Sequence, residues 1–344
     1  MKANYQQYFL NFKRPSGTSR GVLTTKETWF IILEHEGKTG FGECGLLRSL
    51  SIDDRPDYEE KLKWVCENIA LGPEMLWSEL LEFPSIQFGV EMAFKSLEAK
   101  DKFILFPSEF TRGNAAIPIN GLVWMGDKAF MKAQISEKIK AGFSCIKLKI
   151  GAIDFQTELD LLKYIRTEFS SNEIELRVDA NGAFSFQEAM EKLKKLSEYE
   201  IHSIEQPIKQ GQWEQMADLC SKTPIPIALD EELIGVTNFN KKQELLEIIK
   251  PQFAIFKPSL IGGFKGTQEW VDLVEKSEIG WWATSALESN VGLNAISQWI
   301  FTKKSSLPQG LGTGGLYTNN FKSPLVVKNG EIKYDPEISW NFKL

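Results

Sequence analysis

Histidine is almost absent from this sequence: the 344 residues hold only His35 and His202. Histidine-based metal sites, Ser-His-Asp and Cys-His triads and H-E-x-x-H zinc hydrolysis all need more histidine, or histidine in better company. Any catalysis falls to lysines and carboxylates. The four cysteines, Cys44, Cys66, Cys145 and Cys220, lie far apart without C-x-x-C spacing, so neither a zinc site nor a disulfide framework is expected. No apolar run approaches the roughly 20 residues a membrane helix needs. MKANYQQYFL at 1–10 lacks the apolar core and cleavage site of a signal peptide. The expectation is a soluble, cytoplasmic protein with no membrane partner. Forty Lys plus Arg against 46 Asp plus Glu leave a net charge of -6, and no strongly basic segment is present to neutralise phosphates, which argues against nucleic acid as a partner.

What is present is a globular composition, 42% hydrophobic and 25% charged, in a chain too long for one average domain. From position 115 onward short apolar segments recur: AIPIN (116–120), CIKLKI (145–150), IELRVDA (174–180), IHSIEQP (201–207), IPIALDE (225–231), FAIFKP (253–258), GWWATS (280–285) and QGLGTG (309–314). Most stretches between them read as amphipathic helices. Asp127 precedes one that ends at Gly142, and Ser185 with Glu188 forms a capping-box pattern before another. Such alternation means parallel strands with crossover helices, and the eight segments fit a closed (β/α)8-type barrel better than an open sheet. An open doubly wound sheet would need a Gly-rich phosphate turn after its first strand, which NGLVWMGD (120–127) does not supply. Residues 5–12 and 28–36 read as strands, and 59–70 and 88–100 as helices. This predicts a separate α+β domain over 1–114, with FPSEFTRGN (106–114) as linker, and a barrel over 115–317. The tail 318–344 is expected to pack back onto the N-terminal domain and complete it.

Alternation within the barrel strands predicts which side chains face inward. Ile146, Leu148 and Ile150 oppose Cys145, Lys147 and Lys149; Ile174, Leu176 and Val178 oppose Glu175, Arg177 and Asp179; Ile225, Ile227 and Leu229 oppose Pro226, Ala228 and Asp230. Helices cover the outside of a barrel, so the apolar faces point outward. Lys147, Lys149, Asp179, Glu205, Asp230 and Lys257 then converge at the C-terminal mouth, where barrel enzymes carry their catalytic groups.

Asp179, Glu205 and Asp230, on adjacent strands, would repel one another unless a cation held them. An all-oxygen, histidine-free set suits a hard ion such as Mg2+, with Mn2+ as a substitute. The alternative is an ion-pair lattice with the three lysines. A lysine beside a divalent cation and a second lysine has its neutral form favoured, which makes Lys149 or Lys257 a candidate base. Lysines on opposite sides of a metal-bound carboxylate suggest proton abstraction next to that carboxylate, with the resulting enediolate stabilised by positive charge. Schiff-base aldolase chemistry would use one lysine and leave the carboxylates idle.

Taken together, KLK (147–149), RVDANG (177–182), IEQP (204–207), LDE (229–231) and FKPSLIGG (256–263) resemble the motif set of the enolase superfamily, in its muconate-lactonizing-type subgroup. The resemblance covers essentially the whole chain. It implies an α/β architecture, a (β/α)7β TIM-like barrel with an N-terminal α+β capping domain, and a small-molecule carboxylate substrate. TSALES (284–289), GLGTGGLY (310–317) and Arg177 two residues before Asp179 are similar to the subgroup's 2-succinylbenzoate-forming branch. That branch dehydrates 2-succinyl-6-hydroxy-2,4-cyclohexadiene-1-carboxylate in menaquinone biosynthesis. The resemblance implies Lys149 as the base that then protonates the departing hydroxide. Lys147 and the metal would hold the carboxylate, and Lys257 would lend charge to the enediolate. It also implies Arg177, Ser285 and Gly312 as substrate-binding positions.

Related dipeptide epimerases and N-succinylamino acid racemases share the catalytic positions. The epimerases commonly carry D-x-D at the eighth strand, where GTGG (312–315) has no acid. This argues against a dipeptide and leaves an acylamino acid open. Outside enzymes, a barrel that only binds a carboxylate ligand is the alternative. SGTSRG (16–21) and ECGLLRSLSIDD (43–54) are placed to be capping loops, in which Arg20 and Arg48 either meet a succinyl carboxylate or are solvated surface residues. Trp281 and Trp282 share a strand, so one of them is expected to point into the helix layer.

Overall fold

The structure, a computed structural model, describes residues 1–18 and 21–344. Its N-terminal layer is a three-stranded antiparallel sheet of β1 (Lys2–Thr18), β2 (Gly21–His35) and β3 (Lys38–Cys44). The first two strands run further than 5–12 and 28–36. Their register breaks between Asn11 and Ser16 and then resumes as a two-stranded ribbon. The polar stretch KRPSGT carries no apolar period, so its strand character comes from pairing alone. Helices α1 (Tyr58–Glu67), α2 (Gly72–Glu79) and α3 (Pro84–Glu98) complete the layer. At Gly42 the backbone of β3 lies directly on that of α3: a Cβ there would lie 1.8 Å from the Gly89 carbonyl oxygen, so only glycine permits this approach.

After β4 (Ala116–Pro118), seven consecutive strands form one sheet: β5 (Gly121–Val123), β6 (Cys145–Lys149), β7 (Glu175–Asp179), β8 (Ser203–Glu205), β9 (Ile227–Leu229), β10 (Phe253–Phe256) and β11 (Gly280–Ala283). All neighbouring pairs are parallel. Between and after them run α4 (Lys128–Lys140), α5 (Phe155–Glu168), α6 (Phe186–Ser197), α7 (Trp213–Lys222), α8 (Phe239–Ile249), α9 (Gly263–Lys276) and α10 (Asn290–Lys303). The expected helix starts are present. Asp127 accepts from Phe130 N at 2.8 Å, and Ser185 Oγ donates to Glu188 at 2.8 Å.

Two boundaries differ from the sequence reading. Ala116–Pro118 belongs to a small sheet with the hairpin β12 (Leu325–Lys328) and β13 (Glu331–Tyr334), and the barrel's first strand begins at Gly121. The eighth segment, 309–314, forms no regular strand. It closes the barrel through single bridges from Gln309 to Ile119 and from Gly310 to Thr284. Four glycines and a threonine in GLGTGG give little to pack on a sheet, so closure rests on these few backbone bonds.

The alternation places side chains as expected. Ile146, Leu148, Leu176 and Val178 are fully buried in the large core shared with the helices. Ala228, Ile255 and Trp282 form a separate buried cluster, while Trp281 joins the large core, so the tryptophan pair divides between the two layers. The N-terminal layer docks through Trp77, whose indole N–H donates to the Gly262 carbonyl at 2.9 Å, and through Glu91, which accepts from Phe264 N and Lys265 N at the start of α9. Phe342 in the tail packs on Phe30, Phe41, Phe103 and Phe321, and Trp340 stacks on Phe103. Among the described residues no helix is long and apolar enough to cross a membrane.

Candidate active site

The strand ends build the site. Register puts Lys149 beside Asp179, and Asp179 beside Glu205. The Lys147 ammonium bridges Asp179, at 3.0 Å, and Glu205. Lys149 donates to Asp179 at 3.0 Å and to Asn181 Oδ1 at 2.8 Å. Lys257, across the sheet on the residue after β10, pairs with Asp230. Asp179, Glu205 and Asp230 are 1%, 2% and 2% exposed. The six residues therefore come together. A cavity of about 450 Å3 opens over them, with Lys147, Lys149, Asp179, Glu205 and Lys257 on its wall. Asp230 stands off that wall, held by Lys257.

Burial and mutual charge act in opposite directions here. Burial disfavours the Asp179 carboxylate, but Lys147 and Lys149 overcome it and hold the group well below its usual range. Asp230 is likewise lowered, burial being outweighed chiefly by Lys257. Glu205 is pushed well above its usual range by burial and by the neighbouring Asp179 charge. Lys257 is shifted as well. Burial would lower it, but Asp230, Glu231 and Glu205 face it and raise it.

The residue set fits a hard divalent cation chemically. All the donors are oxygens, Glu205 is disfavoured as an anion without more positive charge, and its Oε1 is buried with no hydrogen-bond partner. As placed, lysines separate the carboxylates, and among the described residues no group of three acidic side chains encloses a cation by itself.

The other expected residues divide. Ser285 and Gly312 line the cavity, Ser285 sharing a 2.6 Å hydrogen bond with Thr313. Arg177 does not reach the cavity. Its guanidinium lies over the Trp282 ring at 4.0 Å and donates to Glu175 at 2.7 Å and to the Pro308 carbonyl at 2.9 Å. Arg177 points inward like Asp179 but pairs in register with Lys147 rather than Lys149, one step nearer the closed end. Arg48 lines the cavity, yet its fork is spent on Glu27, at 2.9 and 2.7 Å, and on Asp54, at 2.7 Å, so its charge is already matched. Arg20 lies outside the described residues. Sequence reasoning missed Asn181, which joins Lys149 to Glu231 (3.0 Å), and Gln206 between the strand ends. The RVDANG and IEQP motifs contain both, but alternation stops at the strand end and says nothing of turn residues.

A parallel barrel with an α+β layer at its mouth is the fold on which the comparisons converge. Residues 131–337 match the family model described as Enolase C-terminal domain-like, and the chain belongs to the enolase superfamily. It is 45% identical to o-succinylbenzoate synthase of Desulfotalea psychrophila, over 96% of this chain and 98% of that protein. N-succinylamino acid racemase of Thermus thermophilus is 28% identical over 80% of this chain and 75% of that one. The crystal structure of MenC from Desulfotalea psychrophila superposes with a TM-score of 0.86 at 41% identity, covering 97% of this chain and 99% of that chain. The fold is also that of muconate lactonizing enzyme from Pseudomonas fluorescens, with TM-score 0.84, 20% identity, and 99% and 96% coverage.

Proposed function

We propose that this protein is a carbon–oxygen lyase that dehydrates 2-succinyl-6-hydroxy-2,4-cyclohexadiene-1-carboxylate to 2-succinylbenzoate, a step of menaquinone biosynthesis. The observation that carries the reading is the 45% identity to o-succinylbenzoate synthase across 96% of the chain. The lysines and carboxylates around one cavity support it with chemistry of the right kind. Lys147 holds the substrate carboxylate. Lys149, as the neutral amine, takes the proton from the ring carbon bearing that carboxylate, and the electron pair moves into the carboxylate as an enediolate. Lys257 remains an ammonium beside this charge, in keeping with its raised pKa. The enediolate then expels the ring hydroxyl. This leaves as water with the proton that Lys149 returns, so one substrate gives one aromatic product and one water. Asp179, Glu205 and Asp230 would hold Mg2+ or Mn2+, which when bound supplies further positive charge for the carboxylate.

The test is turnover by the purified protein of the cyclohexadiene carboxylate, followed as formation of the aromatic product, beside N-succinylamino acids and dipeptides. Dehydration should have the highest kcat/KM. EDTA should abolish it, and Mg2+ or Mn2+ should restore it. Fast racemisation without dehydration would overturn the substrate assignment, and full turnover in metal-free protein would remove the metal.

A further inference from the structure

Gln206 follows Glu205 at the end of β8 and is completely buried, with a left-handed backbone at φ 42°. A non-glycine residue is held there only when its surroundings over-determine it. Those surroundings are the two neighbouring strand ends. Its backbone N–H donates to the Ala228 carbonyl at 2.9 Å, and its carbonyl accepts from Gly182 N at 2.7 Å. Its side-chain oxygen accepts from Asp230 N at 3.3 Å and Glu232 N at 3.2 Å. Its amide nitrogen donates to the Glu232 carboxylate and to the Ile208 carbonyl, both at 3.0 Å. Glu232 is fixed in turn by Gly211 N at 2.7 Å. The turn on the other side leaves no slack, because a Cβ on Gly182 would lie 2.9 Å from the Lys209 Cα.

The side chain and the two backbone polar groups of one residue thus join the ends of β7, β8 and β9, the three strands that carry Asp179, Glu205 and Asp230. We propose that Gln206 is a positioning residue that sets the spacing of these three carboxylates, and through it the affinity of the site for a divalent cation. The amide is the group this needs. Both Asp230 N and Glu232 N must be accepted while the Glu232 carboxylate is given a donor, and no carboxylate or hydrocarbon of the same length does both. Gln206 itself has no place on the cavity wall. Its effect passes through the backbone of residue 230 and the turn at 182.

The inference rests on the cation assigned above, and the experiment separates the two. Mn2+ and Mg2+ binding to the whole purified chain is measured by titration calorimetry, without substrate, well below each variant's Tm. Gln206→Leu keeps the volume and removes every side-chain hydrogen bond. It should weaken cation binding about 10- to 100-fold, the range typical of groups that orient metal ligands, and lower kcat at saturating metal. The double variant Gln206→Glu with Glu232→Gln reverses donor and acceptor between the two side chains and conserves charge. It should recover affinity to within about threefold of wild type, since both accepted N–H groups regain a partner. Lys242→Met, between α8 and α9 and away from the site, should lower Tm with cation affinity unchanged, which sets aside general loosening. If Gln206→Leu does not fold, the double variant alone decides, because affinity at least tenfold below wild type with an unchanged Tm overturns the proposal. So does Gln206→Leu binding as tightly as wild type, which would leave the metal assignment standing. A wild-type protein that binds neither ion would overturn both.

Discussion

Lys149 is tethered on one side only, to Asp179 and Asn181, and opens onto the cavity on the other. Replacing it by Ala removes both the base and the acid of the proposed dehydration, so turnover should fall by about three orders of magnitude or more. Mn2+ affinity should be retained, because the ammonium is not a ligand. Steady-state assay and calorimetry on the same preparation check this, and wild-type turnover would sink the assignment. Arg177 leads to the opposite expectation. Its bonds to Glu175, Pro308 and Trp282 hold the closed end of the barrel, so Arg177→Met should cost about 3 kcal/mol in denaturant unfolding, the lower end for a broken buried pair, and leave KM within about twofold. A KM increase of tenfold would instead put the guanidinium on the substrate. Both residues point inward and both were legible in the sequence as such. Alternation carries phase but not height, however, and height decides that Asp179 reaches the cavity wall while Arg177, two residues earlier, meets a tryptophan. Gln206 and Asn181 were invisible for another reason: each has a positive φ in a turn, where neither period nor propensity reports on side-chain direction.

Among the elements, α9 shows how the N-terminal layer is joined to the barrel. Glu91 of α3 accepts from two backbone N–H groups at its start, a place that favours an anion. Burial outweighs them and pushes the carboxyl up to about 7. The folded pKa lies above the unfolded value near 4.3, so the folded protein binds this proton more tightly. The corresponding stability is fully present below the unfolded value and is lost as pH rises through about 7. Glu91→Gln lacks this dependence. Its unfolding free energy relative to wild type, measured in denaturant, should therefore climb between pH 5 and pH 7, with a slope of at most about 1.4 kcal/mol per pH unit, and level off above. A difference that is flat with pH would mean the carboxyl is already ionised at pH 5. Strands with an apolar period, β6 and β7 above all, were legible, as were helices with side-chain caps. β3 was not, because KTGFGEC is half glycine and charge and owes its place to the contact between Gly42 and Gly89. Nor was the displacement of Ala116–Pro118 into a sheet with residues more than two hundred positions away, since pairing partners at that distance leave no local signal.

At the scale of the whole molecule, the cavity is built from both layers: Lys13 to Ser16 and Leu47 to Leu50 face the barrel residues across it. Substrate binding therefore depends on how the N-terminal layer is seated, whereas the lysines and carboxylates are fixed by barrel strands alone. The tail couples the layers. Phe342 touches Phe30 of β2 at 5.5 Å, Phe41 of β3 at 4.8 Å, Phe103 beyond α3 at 5.8 Å and Phe321 at 4.7 Å between ring centres, so one half-buried ring joins the N-terminal sheet to the segment leaving the barrel. Phe342→Ala should cost about 2 kcal/mol, less than a full core truncation because the ring is only half buried. If that loss is felt as looser seating, KM for the cyclohexadiene carboxylate should rise several-fold at a temperature well below Tm, while kcat at saturation stays within about twofold. Cation affinity, set inside the barrel, should not move. Kinetics over a wide substrate range, with calorimetry on the same variant, distinguish the cases. A fall in kcat with KM unchanged would mean that the tail reaches the lysines through the barrel wall and that the division of labour between the layers is wrong.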